Sequence, residues 1–209
     1  MTISPQQKDH ETPYIKTIPE DQSDGLLTDL YQRITKTAGY LPNHAKIFSL
    51  RPKVYEAWLN LQDAIRSNMR LRRYELVTLA ASQELGCSYC MLAHGTILHK
   101  NFFSVDEMLS IVDDYRNAGL TTEEVALMAL AKKIIRKAGD VNEVDIQELR
   151  EFGLSDEEIL DVVLVIDMRA FFSKTIDALG ADPDDVYKDL DPRLIEALAI
   201  GRPFPPEEN

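Results

Sequence analysis

DVVLVIDM, residues 161–168, is the one run in this chain that reads as a β-strand at first sight, and its assignment decides the fold class. It is apolar and rich in β-branched residues, which a buried strand favours. No Gly or Pro flanks it, however, and the stretch LSDEEILDVVLVIDMRAFFSKTID that contains it keeps an apolar residue every three to four positions. The run is therefore expected to be part of a buried helix, and with it goes the only candidate strand.

Outward from that segment the pattern is helical nearly throughout. Ser155 with Glu158, Thr121 with Glu124 and Ser104 with Glu107 each place a hydroxyl three residues before a carboxylate and ahead of an apolar pattern. That is the signature of a capping box at a helix start. Earlier in the chain, Leu26, Leu27, Leu30 and Ile34 mark one face of a helix that stops at Gly39. Pro52 suits the first position of another, with Val54, Ala57, Trp58, Leu61 and Ile65 as its apolar stripe. The expectation is an all-α fold of about eight to ten helices. Residues 1–22, with Pro5, Pro13 and Pro19, read as an extended N-terminal arm, residues 23–200 as a single helical domain, and residues 201–209 as a flexible tail.

Hydrophobic residues make up 44% of the 209 and charged residues 28%, enough of each for a globular core with a charged surface. The formal charge is −12, so a phosphate backbone or an anionic membrane surface is repelled on average. Nucleic acid and membrane are thus not expected partners. No uninterrupted apolar run reaches the length of a membrane span, and the start MTISPQQKDHETPYIK lacks the apolar core of a secretory signal, which points to the cytoplasm. A structural disulfide does not persist in that compartment, so a close cysteine pair there suggests redox chemistry or metal binding.

The chain holds such a pair. GCSYCMLAHG, residues 86–95, contains both cysteines and one of the four histidines. The preceding residues read as a helix that Gly86 ends, so Cys87 opens the next one. At about 100° per residue Cys87, Cys90 and His94 share one face of it. Unpaired N–H groups at a helix start favour a thiolate, and a histidine one turn on can exchange a proton with it. The three residues therefore support a thiolate nucleophile with a resolving thiol beside it. Glu75, twelve residues before Cys87, is a candidate carboxylate to orient the histidine; the pattern around it fits either an inward, paired glutamate or an outward, solvated one.

Glu75, Cys87, Cys90 and His94, in the order E-x11-C-x2-C-x3-H, resemble the core motif of the AhpD-like alkylhydroperoxidases of the carboxymuconolactone decarboxylase family. The stretches GYLPNHAKIFSLRPKVYEAW and GLSDEEILDVVLVIDMRAFF are similar to its longer, peroxidase-related branch, so the resemblance runs over roughly residues 13–187. It implies that Cys90 attacks a hydroperoxide, that Cys87 resolves the sulfenic acid into a disulfide, and that Glu75 and His94 relay the proton. It also implies no cofactor, an external reductant that is a dithiol protein or a small thiol, and a homo-oligomer (dimer, trimer or hexamer). One position departs from the pattern. Tyr89 stands where the best-studied members carry a histidine, which leaves the relay one member short and makes Tyr89 an auxiliary candidate.

The stretch LRRYELVTLAASQELGCSYCMLAH, laid over LSDEEILDVVLVIDMRAFFSKTID, pairs Leu71 with Leu154 and Glu75 with Glu158, and the apolar positions agree. At the chemical positions the second copy has Ala170, Ser173 and Asp177 for Cys87, Cys90 and His94. An internal duplication of the core helical pair, with a motif-bearing half at 23–117 and a degenerate half at 118–200, is one reading; coincidence between two amphipathic patterns is the other. Two further functions compete with the peroxidase: a non-catalytic or redox-sensing helical oligomer, and a zinc module with Cys87, Cys90 and His94 as ligands, although no metal is expected. Nothing is assigned to His10, His44 or His99. Asp167 and Arg169 interrupt an apolar helix as an internal pair or as an interface contact.

Overall fold

The protein is described by a computed structural model covering residues 13–202 and 204. Residues 1–12 of the expected arm, with His10, and most of the expected tail lie outside the described residues. Among the described residues there are ten α-helices and no strand. DVVLVIDM lies inside the longest, so the 3.6-residue period outweighs the β-branched composition.

The helices are α1 (Gly25–Ala38), α2 (Asn43–Ile47), α3 (Pro52–Arg66), α4 (Leu71–Leu85), α5 (Ser88–Asn101), α6 (Val105–Asp114), α7 (Thr122–Lys137), α8 (Glu143–Glu151), α9 (Asp156–Ala178) and α10 (Pro192–Leu198). At its centre α4 packs against α5, α7 and α9, and every residue from Tyr74 to Ser82 is buried. A helix enclosed on all sides has no polar face to show, which is why small and apolar residues surround Glu75.

The three expected capping boxes form at Ser104, Thr121 and Ser155. A fourth, Asn142 with Asp145, opens α8. Two of the capping glutamates also accept from arginines of α4: Arg72 Nε reaches Glu124 at 2.6 Å, and Arg73 Nη1 reaches Glu158 at 2.9 Å. The N-termini of α7 and α9 are thereby pinned to the start of the central helix.

In three places the structure differs from the sequence expectation. In α3 the buried stripe runs through Tyr55, Trp58 and Ile65, while Ala57 and Leu61 face outward. Tyr55 takes the inward place because its ring stacks between those of Phe48 and Trp58. The cysteine-bearing pair α4–α5, broken at Gly86, corresponds in the second stretch to the single unbroken helix α9, so the sequence echo does not recur as a helical pair. Finally, Gly201, expected to open a flexible tail, donates its N–H to Ser88 Oγ at 2.8 Å. A Cβ there would lie 1.9 Å from the Gly86 carbonyl oxygen, so only glycine fits.

Candidate active site

The site begins at the break between α4 and α5. Gly86 is left-handed, at φ 71°, and the N–H groups of Gly86 and Cys87 return to the carbonyls of Gln83 and Ser82 at 3.1 Å each. This is a Schellman motif, which satisfies the end of α4 and turns the chain sharply. Cys87 becomes the N-cap of α5, and Cys90 and His94 follow on its buried face.

All four motif residues come together in the interior. Glu75 points inward and is 1% exposed, and its Oε2 lies 2.5 Å from His94 Nδ1. That bond fixes the imidazole and leaves Nε2 as the nitrogen free to take a proton. Both cysteines are free thiols, with Cys87 0% and Cys90 1% exposed. The single Sγ–H proton of Cys87 is shared between Cys90 Sγ and Asp177 Oδ1.

Three groups that the motif does not contain complete the site, and all come from α9. Ser173 Oγ donates to Cys90 Sγ at 3.1 Å, and Arg169 Nη1 donates to it at 3.6 Å. Cys87 Sγ donates to Asp177 Oδ1 at 3.4 Å. Burial works against the Cys90 thiolate, but the hydrogen bond from Cys87, the charges of Arg169 and His94, and Ser173 together lower its pKa to about 5. Cys87 moves the opposite way, raised by its hydrogen bond to Cys90, by burial and by the negative charges of Cys90 and Asp177. The environment therefore separates the pair into a thiolate at 90 and a thiol at 87, with Asp177, itself raised by burial, as the acceptor beside the thiol.

Arg169, left open by the sequence as an internal partner of Asp167 or an interface contact, is neither. Asp167 is exposed, whereas Arg169 is buried over the Phe172 ring at 5.3 Å. Among the described residues it pairs with no carboxylate, and burial opposes its charge while the proximity of Cys90 sustains it. The spacing of Arg169, Ser173 and Asp177, every fourth residue in an apolar helix, was a legible signal of an inward polar stripe. Ser173, the counterpart of Cys90 in the sequence echo, touches that very residue across 83 positions of chain.

Tyr89 is more than packing. Its hydroxyl donates to Asp184 Oδ2 in a short bond, and His44 Nδ1 lies 2.9 Å from the tyrosine oxygen. Tyr40 also donates to Asp184 Oδ2, at 3.2 Å, and the Asn43 N–H to Oδ1 at 2.7 Å. With the Tyr89 proton directed to Asp184, His44 donates through Nδ1. Burial and the charge of Arg169 lower the His44 pKa to about 3, so the ring is neutral. Sequence reasoning assigned nothing to His44, and its partner Tyr89 lies 45 positions further along the chain, so no local signal existed.

Cys90, His94, Tyr89, His44 and Arg169 open onto one cavity of about 400 Å³, walled by Trp58, Tyr55, Phe172 and Tyr187. Tyr55 Oη, Trp58 Nε1 and Arg169 Nε have no hydrogen-bond partner among the described residues. Among the described residues no group of three or more His, Cys, Asp or Glu is arranged to hold a metal ion, and no helix is long and apolar enough to cross a membrane.

A cysteine pair at a helix start, backed by a buried Glu–His couple in an all-helical bundle, defines a dithiol site on an AhpD-like fold. Residues 52–133 match the carboxymuconolactone decarboxylase family. The fold is shared with a peroxidase-related AhpD-core protein from Ralstonia eutropha JMP134, at 24% identity over 81% of this chain and 88% of that one, with a TM-score of 0.71. A peroxidase-related protein from Silicibacter sp. TM1040 gives 20% identity, 88% and 98% coverage, and a TM-score of 0.75. The debrominase Bmp8, in complex with 2,3,4-tribromopyrrole, gives 14% identity, 90% and 100% coverage, and a TM-score of 0.73. No functionally curated protein matches the sequence.

Proposed function

We propose that the protein is a thiol-dependent hydroperoxide reductase of AhpD type. The observation that carries this reading is the split of the two thiols: Cys90 lines the cavity and is held as thiolate by Arg169 and Ser173, while Cys87 lies behind it as a thiol bonded to Asp177. In the cycle the Cys90 thiolate attacks the terminal oxygen of the hydroperoxide. The O–O bond breaks, the alkoxide takes a proton from His94 to leave as an alcohol, and Cys90 becomes a sulfenic acid. Asp177 then takes and keeps the proton of Cys87, whose sulfur attacks Cys90 Sγ; a disulfide forms and the hydroxide leaves as water, protonated by solvent through the cavity. An external thiol restores the pair. Glu75 orients His94 throughout, and Arg169 supplies the electrostatic stabilisation that the family's missing histidine would otherwise share.

The test is consumption of tert-butyl hydroperoxide by reduced protein with excess dithiothreitol. Cys90→Ser is expected to abolish turnover, and Cys87→Ser, given peroxide after the dithiothreitol is removed, to stop after one equivalent with a sulfenic acid that a dimedone probe traps. Turnover unchanged in Cys90→Ser would sink the proposal, and a single stoichiometric oxidation in wild type would favour the redox-sensing alternative.

The aromatic walls favour one second reading. A flat ring stacked between Trp58 and Tyr187 would suit reductive dehalogenation by the same dithiol, in which an aryl bromide becomes the arene and bromide as two thiols become a disulfide. Release of bromide from 2,3,4-tribromopyrrole, set against peroxide consumption, separates the two.

A further inference from the structure

The cavity changes charge when the cysteines are oxidised. In the reduced protein Arg169, 2% exposed, has the Cys90 sulfur as its polar partner, and its Nε finds no acceptor among the described residues. When Cys90 enters a disulfide its sulfur becomes neutral, and no carboxylate among the described residues stands ready to replace it. A buried guanidinium without a counter-charge draws an anion from solution, provided there is a path. The cavity is that path, because Arg169 and Cys90 both lie on its wall, with Arg33 and Arg66 further along it. Of the carboxylates on the same wall, Asp63 is 3.8 Å from Arg33, and Asp184 is held by Tyr89, Tyr40 and the Asn43 N–H.

Access sets the size of what can enter. With Cys87 0% and Cys90 1% exposed, a protein dithiol would have to bring its own sulfur to about 2 Å from one of them through the fold. A small molecule needs only the cavity of about 400 Å³.

Resting on the dithiol cycle above, we infer that the disulfide form is reduced through this cavity by a small thiol carrying a carboxylate, and that Arg169, released from Cys90, receives that carboxylate. The thiolate attacks Cys90 Sγ, the sulfur on the cavity wall. The bond to Cys87 breaks, and Cys87 leaves with the electron pair and takes a proton from the Asp177 carboxyl group, the one it gave up in the oxidative half. A second thiolate attacks the sulfur of the first, giving the small-molecule disulfide and returning the Cys90 thiolate to Arg169. The oxidised protein thus attracts the anionic reductant and the reduced protein repels it, so the product does not block the next peroxide.

The test uses full-length protein oxidised with diamide, so that it does not depend on peroxide turnover. Recovery of free thiols is followed with 3-mercaptopropionate and with 3-mercaptopropionamide at equal thiolate concentration, and with a thioredoxin. The acid is expected to be about tenfold faster than the amide, the factor that one added charge interaction of ordinary strength supplies. The advantage should vanish in Arg169→Gln and persist in part in Arg169→Lys. In wild type alone, propionate should slow reduction by the amide through competition for Arg169. Equal rates for acid and amide, indifference to propionate, or a thioredoxin outrunning both small thiols would overturn the inference. If the acid preference holds while peroxide consumption fails, only the peroxidase reading falls.

Discussion

Arg169 meets the sulfur of Cys90 at a buried position on the cavity wall, and the consequences are measurable at that one residue. Because the Cys90 pKa is lowered to about 5, its thiolate fraction is complete well below neutral pH. Its alkylation rate is expected to be flat above about pH 6, whereas a free thiol is still gaining reactivity near its pKa of about 8.5. Removing an opposite charge at this range raises an acid's pKa by about 1–3 units. Arg169→Gln should therefore move the inflection of the alkylation profile upward by that amount, with iodoacetamide as the probe. Tyr89→Phe leaves the buried carboxylate of Asp184 with one fewer donor, and the loss is expected to be about 1–3 kcal/mol in urea denaturation. Glu75 shows how far residue-level reading reaches: inward and outward placements fitted the pattern equally, and the 2.5 Å bond to His94 decides for inward.

At the scale of elements, the helix boundaries were the most legible part of the sequence, since their determinants are local. Gly39 and Gly86 end helices in the left-handed conformation, Pro52 starts one, and the three capping boxes form where a hydroxyl precedes a carboxylate by three residues. These determinants are testable one at a time. Ser155→Ala, which removes the cap of α9, should cost about 1 kcal/mol in chemical denaturation. Gly86→Ala forces a side chain into a left-handed turn, at about 1–2 kcal/mol. It should also slow Cys90 alkylation, because the same turn aims α5 at α9. The inward face of α3 was less legible, since the apolar spacing favoured Ala57 and Leu61 and only the rings of Phe48 and Trp58 stacked on Tyr55 turn that residue inward.

For the whole molecule, oxidation state and stability are coupled. A disulfide between residues three apart closes so short a loop that it restrains the unfolded chain little, while its formation takes from Arg169 the charge that balances it. The diamide-oxidised protein is expected to be the less stable form. A deficit of about 1 kcal/mol lowers Tm by about 2–4 °C for a chain of this length, and differential scanning calorimetry of the two forms reads it. An oxidised form with the higher Tm would mean that water or an anion already compensates Arg169. The aromatic wall offers a second global test. Phe172 is 3% exposed and stacks on Trp58 at 4.3 Å, so Phe172→Ala should cost about 3–5 kcal/mol.

The sequence by itself determined the helical class, most helix ends and the four-residue motif, because each depends on residues within a turn or two of one another or on a repeating local pattern. Tertiary structure alone supplied the groups outside the motif that surround the two thiols. Arg169, Ser173 and Asp177 lie far beyond the cysteines in the chain and meet them only because α9 packs across the start of α5. Likewise Tyr89, a departure from the family pattern when read in sequence, gains its partners from Asp184 and His44, which two other segments of the chain deliver. Electrostatic activation acts through space over a few ångströms, whereas spacing in a sequence reports only what one helix brings together.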